Sequence, residues 1–152
     1  MNKKIRVGVD LGGTIAERGK GEKGGEFFIK KDVKESFDIL KDYADLLLIS
    51  KAGEKVANKS KEWLEINKLT SYFREIYFEK TKDEKINRIL SLNLDFFIDD
   101  KIDILIELRK GNKNINLILL NENPKIKNYK GVYIKFENWK GVLNYICQYK
   151  VV

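Results

Sequence analysis

Short apolar runs rich in β-branched residues alternate along this chain with stretches of helical period, and that alternation leaves few folds open. Residues 5–10 (Ile-Arg-Val-Gly-Val-Asp) are mostly apolar and stop at Gly12-Gly13. A run that short, ended by a turn signal, reads as a buried strand. The same signature recurs at residues 46–50, 75–78, 94–98 and 115–120, with a shorter piece at 132–136. Between them the spacing predicts a helix to about Tyr43 capped by Asp32, with Val33, Phe37 and Leu40 on its apolar face. It predicts a second over 52–67, with Val56, Trp63, Leu64 and Ile66 turned inward, and a short helical turn over 69–73. Further helices are expected over 82–92, over 102–109 with Gly111 ending it, and over 137–149. Residues 15–30 interrupt the rhythm: a Gly-, Lys- and Glu-rich stretch over 19–25, between short apolar pieces, predicts a hairpin or flap.

Strands that alternate with helices must be parallel, because each crossover carries the chain back over a face of the sheet. The expectation is therefore an α/β fold: a three-layer, doubly wound, Rossmann-like parallel sheet. It would form one domain over residues 1–152, with 15–30 as its flap. A chain of 152 residues is long enough to bury a substantial core without staples. In such sheets ligands bind beyond the carboxyl ends of the strands, where the strand order reverses. Those ends are polar in an interpretable way. The first strand ends in Asp10 and runs into Leu11-Gly12-Gly13-Thr14, the second ends in Ser50-Lys51, and the fourth in Asp99-Asp100 with Asp103 a turn later. Lys85 opens the helix before that fourth strand.

Composition removes most other chemistries. The chain has no histidine and one cysteine, Cys147, which excludes imidazole bases, His-ligated metals, intramolecular disulfides and cysteine zinc sites. No apolar run approaches the ~20 residues of a membrane span. With a charged start (Met1-Asn2-Lys3-Lys4) that lacks a signal-like apolar run, the cytoplasm is the expected compartment, away from membranes. There are 30 basic against 23 acidic residues, a net +7, but only five of the 30 are arginine. Twenty-five lysines read mainly as solvated surface. Their field assists a phosphate-bearing ligand and gives only weak support to nucleic acid, which is read largely through arginine.

A carboxylate beside a flexible loop, a hydroxyl, an amine and a carboxylate pair can together support phosphoryl transfer. The carboxylate serves as nucleophile, and adjacent acids share a hard cation such as Mg²⁺. The hydroxyl and ammonium hold phosphoryl oxygens as charge redistributes.

In order and placement these residues resemble the haloacid dehalogenase-like superfamily, over roughly residues 5–120. That family's first motif is a strand ending Asp-x-Asp-x-Thr/Val, here Asp10-Leu11-Gly12-Gly13-Thr14. The second is an apolar strand ending in Ser or Thr, here Leu47-Leu48-Ile49-Ser50. The third is a Lys, for which Lys85 in Asp83-Glu84-Lys85-Ile86 fits best, with Lys82 and Lys51 as alternatives. The fourth is an apolar strand ending in an acidic pair, here Phe96-Phe97-Ile98-Asp99-Asp100.

The resemblance implies a Mg²⁺-dependent phosphohydrolase or phosphotransferase with Asp10 as nucleophile and metal ligand. It gives Gly12 a carbonyl for the metal, gives Ser50, Lys51, Gly12 and Lys85 to the phosphoryl group, with Lys85 also a catalytic residue that screens the carboxylates, and gives Asp99 and Asp100 to the metal site. The second Asp of the first motif, the usual general acid/base, is Gly12 here. That loss points to slow or atypical catalysis, or to a module that binds a phosphorylated ligand or protein partner. Glu17 in the flap is a candidate replacement. The intervals Asp10 to Ser50 and Ser50 to Lys85 are taken up by core elements and leave no room for a cap domain. A capless site suits a large phosphorylated substrate, or a lid supplied in a homo-oligomer.

Bland alternatives stand beside each feature. Asp10 with two glycines is also a plain strand-to-turn ending, Asp99-Asp100 also suits a helix start, and Ser50 also suits a cap. Trp63 and Trp139 read as packing residues. Val9 to Thr14 is also similar to the first phosphate motif of actin-like sugar kinases, but those are larger chains with two lobes around ATP.

Overall fold

In the computed structural model, residues 4–19 and 26–149 are described; most of the Gly-rich stretch over 19–25 and the first three residues lie outside them. Six strands form one all-parallel sheet: β1 (Ile5–Val9), β4 (Ala44–Lys51), β5 (Phe73–Glu79), β6 (Phe96–Asp99), β7 (Asn116–Leu120) and β8 (Ile134–Phe136). Their order is β5-β4-β1-β6-β7-β8. The direction of travel reverses between β1 and β6, so the switch point lies where Val7, Gly8 and Val9 pair with Phe96, Phe97 and Ile98. The remaining two strands, β2 (Ala16–Arg18) and β3 (Phe27–Ile29), pair antiparallel as a hairpin that follows β1.

Residues of β4 are buried on both faces, with Leu46 and Leu48 toward one helical layer and Leu47 and Ile49 toward the other. The first layer holds α1 (Val33–Leu40), α2 (Glu54–Ile66) and α5 (Trp139–Cys147), anchored by Phe37, Leu64 and Trp139. The second holds α3 (Lys82–Ser91) and α4 (Ile102–Gly111), anchored by Ile89, Leu105 and Leu108. The result is the expected three-layer α/β sandwich, and no further domain is inserted among the described residues. Gly8 on the central strand is required by packing. A Cβ there would sit 2.5 Å from Leu94 Cδ1 and 2.9 Å from Phe97 Cδ1, inside the second core.

Three local expectations are corrected. Asp32 does not cap α1 with its side chain. It takes a left-handed conformation (φ 68°), and its backbone carbonyl accepts from Ser36 N at 3.0 Å. Asp tolerates that region better than most residues. α4 runs two residues past the expected Arg109, so that Gly111, the expected terminator, is its last helical residue and Asn112 follows it. In α2, Ala57 and Leu64 are the buried residues, whereas Val56 and Ile66 are 58% and 79% exposed. The helix is turned so that its 57/64 stripe meets the sheet. The caps of α3 and α5 are made by side chains: Thr81 Oγ1 accepts from Glu84 N, and Asn138 Oδ1 from Gly141 N. No helix among the described residues is long and apolar enough to cross a membrane.

Candidate active site

Two strand ends and one helix start converge at the switch point. Asp10 directly follows β1, and its amide donates to Ile98 O at 3.1 Å, which fixes the end of β1 against β6. Asp99 closes β6 and Asp100 follows it. Lys85 sits in the first turn of α3, and its amide donates to Thr81 O at 3.0 Å. With the helix so capped, the Lys85 side chain reaches into the gap between the two strands. Its Nζ donates to Asp10 Oδ1 at 2.9 Å and to Asp99 Oδ2 at 3.0 Å. Asp10, Lys85 and Asp99 are 4%, 3% and 0% exposed. Asp99 spends its other oxygen on the amide of Lys101 at 3.0 Å.

One oxygen from each of Asp10, Asp99 and Asp100 lies within 4.8 Å of the others. Among the described residues Lys85 is the single ammonium paired with them, so two negative charges are left unmatched there when all three acids are ionised. The consequences are visible in their proton affinities. Burial, reinforced by the charge of Asp99, pushes the Asp10 carboxyl up to about 8 against the pull of Lys85. Burial and then Asp99 push Asp100 up to about 6. Lys85 is itself raised, because the two carboxylates outweigh the opposing effect of its own burial. Asp100 Oδ1 is buried with no hydrogen-bond partner. An orphaned carboxylate oxygen, two unmatched charges and an all-oxygen donor set fit a hard divalent cation. The loop is shaped around this cluster. Gly13 has φ +81°, and a Cβ on it would collide with the Asp100 carboxylate. Beneath, Trp139 Nε1 donates to Thr14 O at 2.8 Å and ties the loop to α5.

The other predicted residues lie on the rim. Ser50 is buried at the end of β4, Lys51 is exposed beside it, and Gly12 is exposed with nothing within 4 Å of where a Cβ would stand. Lys82, an alternative to Lys85, is turned away: its Nζ pairs with Asp103 Oδ2 at 2.9 Å on the surface. Asp99 and Asp100 are not the cap of α4, whose capping position is Lys101.

From Leu11 and Gly12 a cavity of about 530 Å³ opens between the hairpin and α2. The hairpin contributes Ala16, Arg18 and Phe27, the end of β4 contributes Ser50 and Lys51, and α2 contributes Val56, Lys59, Ser60 and Trp63. Trp63 Nε1 donates to Phe27 O at 3.2 Å and joins the two walls, while the Arg18 guanidinium lies 5.1 Å from the Phe27 ring centroid. None of these hairpin and α2 residues is a predicted site residue. Their signal was the i, i+3, i+4, i+7 spacing of Val56, Lys59, Ser60 and Trp63, a second stripe on α2. Glu17 is not among the lining residues. It lies between Ala16 and Arg18 on β2, and strand alternation turns it away from the cavity.

No family model matches the chain, nor does any curated protein. Solved structures do match. A haloacid dehalogenase-like family hydrolase from Xanthomonas campestris is similar at a TM-score of 0.69 and 11% identity, over 95% of each chain. A hydrolase of the haloacid dehalogenase-like family from Streptococcus pneumoniae gives 0.68 and 12%, over 94% of this chain and 98% of that one. A putative HAD-hydrolase from Bacillus subtilis, bound to magnesium, gives 0.60 and 13%, over 78% of this chain and 56% of that one.

Proposed function

The chain has the haloacid dehalogenase-like fold, and from that premise we propose that it is a Mg²⁺-dependent phosphohydrolase acting through an aspartyl-phosphate on Asp10. The observation that carries this reading is the buried Asp10–Lys85–Asp99 bridge with Asp100 beside it, at the switch point of the sheet. Asp10, Asp99 and Asp100 would hold the Mg²⁺, which supplies the charge neutralisation that lets an anionic phosphoryl group approach a carboxylate.

The chain's own groups do the rest. Asp10, held in orientation by Lys85 Nζ, attacks phosphorus, and the leaving group departs with the electron pair of its P–O bond. Ser50 at the end of β4 and Lys51 beside it, both on the adjoining cavity, would hold phosphoryl oxygens. Water then attacks the aspartyl-phosphate, the P–O bond to Asp10 breaks, and the carboxylate is restored as phosphate leaves with the water's oxygen. No acidic side chain stands at Gly12 to give or take a proton in either half. General acid–base help is worth about 10²–10⁴-fold, so turnover is expected to be slow on substrates that need it.

The test is hydrolysis of p-nitrophenyl phosphate with and without Mg²⁺. Asp10→Asn should abolish it, and turnover that survives this substitution refutes the nucleophile assignment. Gly12 also favours a second reading, a module that binds phosphate without turnover. Its mark would be Mg²⁺-dependent binding of aluminium fluoride by a protein with no hydrolytic activity.

A further inference from the structure

The cavity beside the carboxylate centre is far larger than a phosphoryl group, and its chemistry differs from that of the centre. At about 530 Å³ it falls in the range of small-molecule sites. Its described lining holds no carboxylate. It holds three cations, Arg18, Lys51 and Lys59, none of which forms an ion pair among the described residues. It also holds two flat apolar surfaces, Trp63 and Phe27, on facing walls joined by their hydrogen bond. Phe27 and Val56 are 47% and 58% exposed there, large apolar groups left open to solvent beside unpaired positive charge.

We propose that this cavity receives the leaving group, and that the leaving group is an anion bearing a flat ring. The substrate class is therefore a phosphoanhydride of the nucleoside di- or triphosphate type. The proposal rests on the reading of Asp10 as nucleophile and names what that nucleophile acts on. Two features on opposite sides of the reaction agree. An alkoxide needs a proton as its bond to phosphorus breaks, and neither Gly12, nor the outward-turned Glu17, nor any described lining residue offers a carboxylic acid. A phosphate leaving group needs none, because it departs as a stable anion. The bond from Asp10 Oδ to the terminal phosphorus forms and the bridging P–O bond breaks. Its electron pair stays on the departing phosphate, which Arg18, Lys51 and Lys59 surround with positive charge. The purine or pyrimidine then lies against Trp63 and Phe27, where stacking is tolerant of base identity.

The experiment compares ADP, p-nitrophenyl phosphate and glycerol 3-phosphate as substrates of the full chain with Mg²⁺, and follows ADP binding by tryptophan fluorescence. Trp63→Phe assigns the signal against the buried Trp139. The expected result is a kcat/KM for ADP about 10²–10⁴-fold above that for glycerol 3-phosphate, the factor an absent general acid costs. Arg18→Ala combined with Lys59→Ala should raise KM for ADP about ten- to a hundredfold, and lower its preference over p-nitrophenyl phosphate accordingly. ADP should quench the Trp63 signal. Asp10-dependent turnover that treats ADP and glycerol 3-phosphate alike overturns the subsite and leaves the aspartyl-phosphate reading standing. Quenching by ADP that Arg18→Ala weakens, without turnover of any of the three, keeps the subsite and overturns the nucleophile. Neither turnover nor quenching overturns both.

Discussion

Two regions meet at the carboxyl edge of this sheet, and they are built on opposite principles. The carboxylate–lysine centre is made from β1, β6 and the first turn of α3, and its Asp10, Lys85 and Asp99 are at most 4% exposed. The adjoining cavity is made from an appended hairpin and the outer stripe of α2, and keeps Phe27 and Val56 largely in solvent. In the first, one buried lysine is shared between Asp10 and Asp99, and the surrounding core holds the geometry of a carboxylate cluster that carries more charge than Lys85 matches. In the second, the cations form no ion pair among the described residues, and a side-chain-to-backbone hydrogen bond from Trp63 to Phe27 ties the walls. The proposed chemistry, which needs fixed carboxylates, would sit on the strands the fold cannot do without. The recognition proposed for the cavity would rest on parts that can change without disturbing them.

The sharpest way to separate the two is to remove a lysine from each. Lys85→Met strands two buried carboxylates, and losing one partner of a buried pair costs about 3–5 kcal/mol. Chemical denaturation without metal should show a loss of that size. Lys59→Met, on the exposed stripe of α2, should stay within about 0.5 kcal/mol of the parent. Equal effects would mean that the contrast in burial has no energetic content.

Proton linkage tests the same contrast without mutation. Asp10, pushed up to about 8, binds its proton more tightly folded than unfolded, so it favours folding at low pH. That contribution is complete below the ordinary carboxylate range and is lost as pH rises toward 8. Metal-free protein should therefore lose stability from about pH 4 to pH 8. Mg²⁺, which competes with those protons, should raise the melting temperature more at pH 8 than at pH 6. A Mg²⁺ shift that grows on acidification would show that the ion does not bind these carboxylates.

Gly13→Ala ranks next. The left-handed backbone at φ +81° costs a non-glycine residue about 1–2 kcal/mol, and the new Cβ must displace the Asp100 carboxylate. A stability loss near that figure and a smaller Mg²⁺-induced shift are both expected. Loss of stability with the Mg²⁺ response intact would place Asp100 outside the metal site.

How much of this was legible in the sequence follows the same division. β1, β4 and β6 announce themselves because strands buried on both faces need apolar runs, so the polar residues that close those runs, Asp10, Ser50 and Asp99, mark the sheet edge. Lys85 was one lysine among twenty-five, and only the geometry of the capped α3 separates it from Lys82, which pairs with Asp103 instead. The cavity was hidden because α2 carries two stripes. Trp63 and Val56 count as apolar in any periodicity, although they line an opening while Ala57 and Leu64 meet the core. Asp32 misled because a cap residue at a helix start is indistinguishable by sequence from one held in a left-handed turn.

Gly12 is the residue at which the two regions touch, and changing it should have the smallest effect on the fold. It is exposed and does not adopt a positive φ, and a Cβ there meets nothing within 4 Å. Gly12→Asp should therefore leave stability within about 0.5 kcal/mol, in contrast to its neighbour Gly13. Its effect on reactivity should be selective. A carboxyl at the mouth of the cavity supplies the proton donor that an alkoxide leaving group needs, so hydrolysis of glycerol 3-phosphate should rise, by up to the ~10²-fold that a positioned acid commonly supplies. An anionic leaving group gains nothing from that acid and meets a new negative charge among Arg18, Lys51 and Lys59, so ADP turnover should be unchanged or fall. If both substrates respond alike, the missing acid does not divide the chemistry of the centre from the selectivity of the cavity. If they diverge, one glycine sets which leaving groups this site can release.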